Sequence, residues 1–227
     1  KGGGLEGVDE FVEGYKHDPK MDFHTMVAEM ADIPRKSAKT INLAMMYGMG
    51  VTKLSHQLDI SLDEAKDLTK QYHKRVPFVK QLMQGVSRRL EDARSNGSVR
   101  SLKGRKCRFD LWEPKGFEMK KALPKEEALV TYGQTTQLKR AFTYKALNRL
   151  IQASAADMTK QAMVNLYNQG ITPLLQIHDE LDCSVKNIED AQKIARIMET
   201  ALELRVPSRC DIDLGPSWGE AKEIKYD

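Results

Sequence analysis

The chain has 227 residues, with 36 Lys and Arg against 32 Asp and Glu; 30% of its side chains are charged and only 7% are aromatic. That is enough chain for one or two domains with a real core. It has no internal repeat, low-complexity tract or signal peptide, and no apolar run long enough to span a bilayer, so no membrane partner is expected. Cys107, Cys183 and Cys210 are scattered, odd in number and without a Cys-x-x-Cys pair, which argues against a structural zinc or a disulfide framework and for a reducing, cytoplasmic compartment (host cytoplasm for a viral protein). Charge is unevenly spread: residues 178–227 hold 7 basic and 12 acidic side chains, and the remainder holds 29 and 20. A basic body with an acidic end suits contact with polyanions, nucleic acid included, although a generic solvated surface has a similar balance. The chain opens Lys-Gly-Gly-Gly without an initiator Met, and the expectation is a piece of something longer.

In chain order, a Gly-rich lead-in precedes short helices predicted over Val8 to Gly14 and Phe23 to Met30. The next helix organises the rest. Asp32 is expected to cap it, Pro34 to lie in its first turn, and Gly48 and Gly50 to end it. Arg35, Lys39, Leu43 and Tyr47 recur every fourth residue and drift about 40° per step on a 3.6-residue helix. They make one slanting stripe of two cations, an aliphatic and an aromatic, while Ala38, Ile41, Ala44, Met45 and Met46 can pack on the other faces. Cations in a first turn oppose the helix dipole. An anion bound there removes the conflict, and a triphosphate suits the cationic end with a sugar and base toward Leu43 and Tyr47. The plain alternative is an amphipathic helix with a solvated basic edge.

A short helix follows over Val51 to Leu58. Ser61-Leu-Asp-Glu64 is a capping box opening a helix that stops near Arg75, before Pro77. A long helix is predicted from Pro77 to about Arg94, ending at Asn96-Gly97, with Val79, Leu82, Met83, Val86 and Leu90 as its apolar face. Val99 to Phe109 reads as a basic hairpin around Lys103-Gly104. Trp112 to about Gln137 lacks clear periodicity and reads as a partly mobile surface insertion. A strong helix is expected from about Leu138 to Asn168, carrying Asn148 and Gln152 at i, i+4. Residues 171–185 read as strand, tight turn, strand, with His178, Asp179 and Glu180 at the tip. Two adjacent carboxylates on a buried hairpin are costly unless a cation meets them, and hard oxygen ligands suit Mg²⁺; a solvated turn is the plain alternative. A final helix over Ile188 to Leu204 precedes a short strand around Cys210–Leu214 and a Gly215-Pro-Ser-Trp218 tail.

Each motif is ambiguous alone, but their order and spacing are not. Arg-x-x-x-Lys-x-x-x-Leu-x-x-x-Tyr-Gly, then Asn-x-x-x-Gln before a long helix, then a His-Asp-Glu hairpin, resembles the C-terminal part of a family A DNA polymerase, a family that includes bacterial DNA polymerase I and replicative polymerases of short-tailed phages. The resemblance runs from about Val8 to Trp218 and takes in Gly104-Arg105-Lys106, Gln152-Ala-Ser-Ala-Ala-Asp157 and the closing Gly-Pro-x-Trp. It implies an α+β, predominantly helical fold: fingers over 1–143, with a palm-side lead-in at 1–7 and a variable insertion around 110–137, and the C-terminal palm over 144–227 with a small antiparallel sheet. It implies template-directed nucleotidyl transfer from a dNTP to a primer 3′-hydroxyl, on primer–template DNA, with two Mg²⁺ ions roughly 4 Å apart. Residue by residue, it implies that Arg35 and Lys39 bind the β- and γ-phosphates, Leu43 packs near the sugar and Tyr47 stacks at the insertion site, with Gly48 leaving room for the template base. Asn148 and Gln152 would bond the duplex, His178 would lie by the primer terminus, Asp179 would ligate metal with Glu180 in support, and Arg105 would touch DNA backbone.

Two departures bear on function. The family usually has Phe or Tyr where this chain has Leu43, which implies discrimination against dideoxynucleotides because Leu offers no hydroxyl in place of a missing 3′-OH. The family's other metal-binding aspartate lies upstream in an Asp-Tyr-Ser-like motif that this sequence lacks, as it lacks the thumb and exonuclease. The metal site is therefore expected to be incomplete and the chain inactive alone, with the missing N-terminal polymerase segment as a partner in cis or in trans. Two other readings compete: a non-catalytic DNA-binding or scaffolding module, and a metal-dependent hydrolase using His178, Asp179 and Glu180.

Overall fold

A computed structural model describes residues 4–18, 22–116 and 121–225. They form an α+β, predominantly helical fold in two compact units, one of Lys1–Asp9 with Asp22–Ile151 and the other of Glu10–Met21 with Gln152–Asp227. Among the described residues no helix is long and apolar enough to cross a membrane.

The chain opens with α1 (Val8–His17), which buries Phe11 and Val12. Asp22 then caps α2 (Phe23–Ala31), its carboxylate accepting from the amides of His24 and Thr25. The expected N-cap role of Asp32 is corrected. Asp32 takes φ 53°, closing α2 so that the Ile33 amide reaches the Ala28 carbonyl at 3.0 Å. With that residue spent on reversal, the N-cap of α3 (Arg35–Met46) falls to Pro34, which has no side-chain oxygen to accept from the first-turn amides. Ala38, Ile41, Asn42, Ala44 and Met45 are the buried face of α3. Asn42 meets the His24 ring nitrogen at 3.0 Å, and Arg35 reaches back to the Asp22 carboxylate at 2.7 Å, tying α3 to the cap of α2. Gly48, at φ +66°, ends the helix, and Gly50 serves instead as the N-cap of α4 (Val51–Leu58).

The capping box at Ser61 opens α5 (Leu62–Arg75) with both reciprocal bonds made. Next, α6 (Pro77–Glu91) ends short of the expected Arg94. Asp92 turns extended and takes the Arg94 amide and guanidinium on its carboxylate, each at 2.8 Å. A local side-chain bond wins over another helical turn. Strands β1 (Ser98–Arg100) and β2 (Lys106–Arg108) form the expected hairpin. Val86, Leu90, Val99, Phe109, Ala146 and Leu147 pack as the core beneath it.

The stretch from Trp112 to Gln137, expected as a partly mobile surface insertion without periodicity, carries regular structure in its described residues. Strand β3 (Leu111–Pro114) pairs on one side with β4 (Leu123–Pro124) and on the other with β5 (Leu138–Arg140), and α7 (Lys125–Tyr132) follows β4. The fixing element is Trp112, whose ring lies under the Arg140 guanidinium at 4.5 Å and the Lys125 ammonium at 5.3 Å. Arg140 also donates to the Phe109 carbonyl at 2.8 Å and fills the space where a side chain at Gly97 would be.

A 3-10 turn at Thr143–Lys145 leads into α8 (Ala146–Asn168), which starts later than Leu138 because β5 and this turn take the intervening residues. In the second unit Leu166 of α8 packs with Ile194 and Ile197 of α9 (Ile188–Glu199) and with Leu181, Cys183 and Val185. Strands β6 (Leu175–Ile177) and β7 (Glu180–Asp182) form the expected hairpin. Helix α9 stops before the expected Leu204, and the Glu199 carboxylate accepts the Cys210 amide at 3.0 Å. Burial, with Glu199 and Asp211 nearby, pushes the Cys210 thiol up to about 11. Strand β8 (Ile212–Leu214) pairs with β9 (Lys222–Ile224), a strand not foreseen, over Ala191, Ala195 and Ile212.

Two outcomes follow from the caps. Ser61→Ala removes one half of a reciprocal bond and should lower the unfolding free energy by about 1 kcal/mol in urea titration. For Asp22, burial alone raises the carboxyl, but Thr25, Arg35 and the two capped amides outweigh it and bring it from 3.8 to about 2. A depressed carboxyl stabilises fully above its unfolded value and loses that contribution as pH falls through its folded value. The stability gap between wild type and Asp22→Asn should therefore be widest near neutrality and shrink between about pH 4 and pH 2.

Candidate functional site

In the first unit, burial of one face of α3 leaves Arg35, Lys39, Leu43 and Tyr47 on the outside as the predicted stripe. Leu43 is 44% exposed and Tyr47 49%, both high for apolar bodies on a helix with a buried face. The two cations differ in state. The Arg35 Nε donates to Asp22 Oδ2 at 2.7 Å and to Thr25 Oγ1 at 3.2 Å, whereas Lys39 has no hydrogen bond or ion pair among the described residues. The first turn of α3 holds no acidic residue and no side-chain cap. Its free amides and the cations beside them suit an anion.

Gly48 is needed for two physical reasons. Its φ is +66°, and a Cβ there would stand 2.5 Å from the Tyr144 carbonyl oxygen. Arg105 is exposed at the β1–β2 turn, its amide donating to Ser101 Oγ at 3.1 Å. Asn148 is half-buried in the first turn of α8.

The second unit holds the remaining candidates. Gln152 is exposed on α8, and His178 and Asp179 form the two-residue turn between β6 and β7, with Ile177 paired to Glu180. His178 takes φ 56°, and its carbonyl accepts from Gln176 Nε2 at 3.0 Å. The Trp218 indole N–H donates to Glu180 Oε1 at 3.4 Å, joining the closing Gly-Pro-x-Trp turn to the hairpin tip. One expectation is corrected: within this unit the tip is exposed rather than buried, with His178, Asp179 and Glu180 all open to solvent. A two-stranded ribbon covers one face only, so the carboxylates are not desolvated there. No group of three His, Cys, Asp or Glu able to hold a metal occurs among the described residues. Asp179 and Glu180 nevertheless provide adjacent hard oxygen donors, the type that binds Mg²⁺ with water completing the shell.

Sequence reasoning missed Asp22 as the partner of Arg35, Trp218 as the partner of Glu180, and Tyr144 as the neighbour of Gly48. The first had a partly legible signal, since Asp22 immediately before a predicted helix is an N-cap candidate. The other two are pairings across long sequence separations with no local trace.

Comparison with known proteins gives a consistent result. The chain is similar to a DNA-directed DNA polymerase of Pseudomonas phage M6, at 31% identity over 93% of this chain and 33% of the relative. It is 32% identical to the thermostable DNA polymerase I of Thermus aquaticus over 96% of this chain and 25% of that protein. Among solved structures, the POL domain of Pol1 from M. smegmatis, in complex with DNA primer-template and dNTP, matches with a TM-score of 0.63 and 27% identity, over 86% of this chain and 34% of the other. The chain thus spans between a quarter and a third of the length of these two polymerases. Residues 9–220 match the sequence profile of DNA polymerase family A, and on that match the chain belongs to this family.

Proposed function

We propose that this chain supplies the fingers, over 1–143, and the C-terminal palm, over 144–227, of a DNA-directed DNA polymerase. It would act on primer–template DNA and dNTP. The observation that carries the proposal is the outward stripe of α3, with a cation at Lys39 that no described residue engages, in a chain of this family.

In this reading Arg35 and Lys39 take the β- and γ-phosphates of the incoming dNTP and stabilise charge on the departing pyrophosphate. Asp22 is a positioning residue. It holds the Nε edge of Arg35 while no described residue engages the terminal nitrogens, which would be available to phosphate oxygens. Leu43 packs against the sugar and disfavours a dideoxynucleotide, and Tyr47 stacks on the base. Asn148 and Gln152 donate to minor-groove acceptors shared by all correct pairs. Arg105 contacts DNA backbone, and His178 lies by the primer terminus. Asp179, supported by Glu180, would hold Mg²⁺, which when bound activates the 3′-hydroxyl and neutralises the leaving oxygens. Trp218 fixes one Glu180 oxygen and leaves the other for the metal shell. A polymerase site of this kind needs a further carboxylate, and the sequence has no Asp-Tyr-Ser-like motif to provide it.

Two measurements test this. Lys39→Ala should weaken dNTP binding about tenfold or more by calorimetric titration, since one charge-assisted bond is lost. Its melting temperature should be unchanged because the side chain is exposed; unaltered dNTP affinity would favour a scaffolding role. The 227-residue chain with primer–template, dNTP and Mg²⁺ should give no extension product, and adding a family A segment bearing the Asp-Tyr-Ser-like strand should restore synthesis. Extension by the chain alone would overturn the incomplete-site reading.

A further inference from the structure

We propose that the cavity between α4, α5 and α6 is an anion site for a small polyphosphate, a diphosphate or triphosphate carried free or at the 5′ end of a nucleotide. The site shares no residue with the α3 stripe.

Three observations carry it. The first is placement. Lys66, Thr69, Lys70, His73 and Lys74 of α5 line the cavity, together with Lys80 of α6 and Val51 of α4. The five residues of α5 fall at i, i+3, i+4, i+7 and i+8, the spacing of one helical face. Beside residues of two other helices, such a face ordinarily carries aliphatics. Here it carries three ammoniums, a hydroxyl and an imidazole around a volume of about 440 Å³. That volume lies within the roughly 300–1,000 Å³ of small-ligand sites.

The second is charge. No Asp or Glu lines the cavity. Lys66 has a counterion, Asp63 at 2.8 Å, but Lys70, Lys74 and Lys80 have no hydrogen bond or ion pair among the described residues. The helix dipole accounts for Lys74, which stands with His73 and Arg75 in the last turn of α5. It opposes Lys80, which stands in the first turn of α6, a turn without an acidic residue. Left to themselves these ammoniums repel one another. A polyanion among them replaces that repulsion with charge-assisted bonds.

The third is a donor without a task. His73 is half-buried, and the buried Tyr72 ring meets it edge-on at 5.6 Å between ring centres. Its Nδ1 is buried with no partner among the described residues. Burial and the Lys80 charge hold the imidazole below its ordinary value, which favours the neutral ring. An N–H at the buried Nδ1 would be an unsatisfied donor, so the neutral ring keeps its proton on Nε2 and can donate it to a phosphate oxygen. Thr69 is already committed, its hydroxyl donating to the Ala65 carbonyl at 2.8 Å. The cavity thus offers ammoniums from two helices and one imidazole, a set that suits linked phosphates. A single DNA strand would also need its bases stacked, and no Phe, Tyr or Trp lines the cavity.

The test is calorimetric titration of the 227-residue chain with inorganic pyrophosphate, ADP and sulfate, in a Lys39→Ala background that weakens the α3 stripe. Pyrophosphate should bind at one site, and adding Lys70→Gln with Lys80→Gln should weaken it about tenfold or more. ADP binding as tightly as pyrophosphate would name a nucleotide tail as the source, and pyrophosphate binding alone would name the free ion; either supports the site. Without ligand, the two glutamines should leave the melting temperature unchanged or higher, since repelling charges are removed. Lost binding in a chain that is no less stable separates a ligand role from a structural one. Pyrophosphate should raise the melting temperature of the Lys39→Ala chain and not that of the glutamine variant. Lys70→Gln and Lys80→Gln in the otherwise wild-type chain should leave dNTP affinity unmoved, so this site and the α3 stripe fail or stand separately. Pyrophosphate affinity unmoved by the two glutamines would overturn the site, as would sulfate binding as tightly as pyrophosphate. A fluorescein-labelled oligothymidylate that binds in place of pyrophosphate, and is lost with the two glutamines, would overturn the polyphosphate assignment in favour of a nucleic-acid contact.

Discussion

The rotational setting of α3 is the constraint on which the first unit depends. Ala38, Ile41 and Ala44 are fully buried, and Asn42 is held against them with its amide nitrogen on His24. Turning the helix by one residue would drive Lys39 or Arg35 inward, and burying an unpaired cation costs several kcal/mol. It would also expose small residues that let the neighbouring helix approach. The apolar face therefore selects the outward stripe, and the same packing that stabilises the helix aims its cations. Asn42 Oδ1 is buried with no partner among the described residues, a local penalty on the packed face of the helix. Asp22 extends this logic by one contact. It satisfies two amides of α2 and the Arg35 guanidinium with one carboxylate, so the cap of one helix orients a side chain of the next.

The second unit works by a different device. Its candidate residues lie on a two-stranded ribbon, which by itself is marginal. The ribbon gains support from Leu181, Cys183 and Val185, whose side chains join the Leu166–Ile194–Ile197 cluster, and from Trp218, whose indole reaches Glu180 from the far end of the chain. The alternation of apolar and polar residues along 181–185 places the packing on one face and Glu180 on the other. The ribbon thus offers carboxylates to solvent and to whatever metal or partner comes to it, and its own unit neither desolvates nor neutralises them.

Legibility from the sequence tracked how local each determinant was. The capping box at Ser61, the Pro77 start of α6, the Gly104 turn and the alternation in β7 are all written within a few residues, and each was readable. So was the α3 stripe, because helical periodicity is a local property. Element ends were less readable wherever a side chain competed with the backbone, as Asp92 does at the end of α6 and Asp32 does between α2 and α3. Both are Asp residues whose short carboxylate or tolerance of the left-handed region offers an alternative to helix. The sheet of β3, β4 and β5 was invisible because its anchor is a tryptophan held between two cations from separate elements, and a Lys-rich stretch without periodicity resembles a solvated loop. The exposure of the His178–Glu180 tip was misjudged for a related reason: strand alternation reveals which residues share a face, but not whether the other face is covered.

Local rules that the sequence breaks point to function more sharply than the rules it obeys. Among the described residues five non-glycine residues have positive φ: Asp32, Asp59, Asn96, Phe142 and His178. The first two close helices, and Asn96 is of a type that tolerates the region and precedes Gly97, so their geometry is explained by chain reversal alone. Histidine tolerates the left-handed region better than most residues, and at His178 a two-residue turn demands it. Phe142 has neither excuse. Its side chain is large and its ring is 40% exposed, with the Lys145 ammonium 5.0 Å from the ring centre, at a backbone angle that glycine or asparagine would adopt more easily. The same reasoning applies to the start of α3, whose first turn contains no acidic residue: Asp22 offsets Arg35, but Lys39 stands near the positive end of the dipole with no ion pair among the described residues. At Lys39 the packing of α3 supplies no reason for a cation, and an anion is the kind of ligand that would complement it.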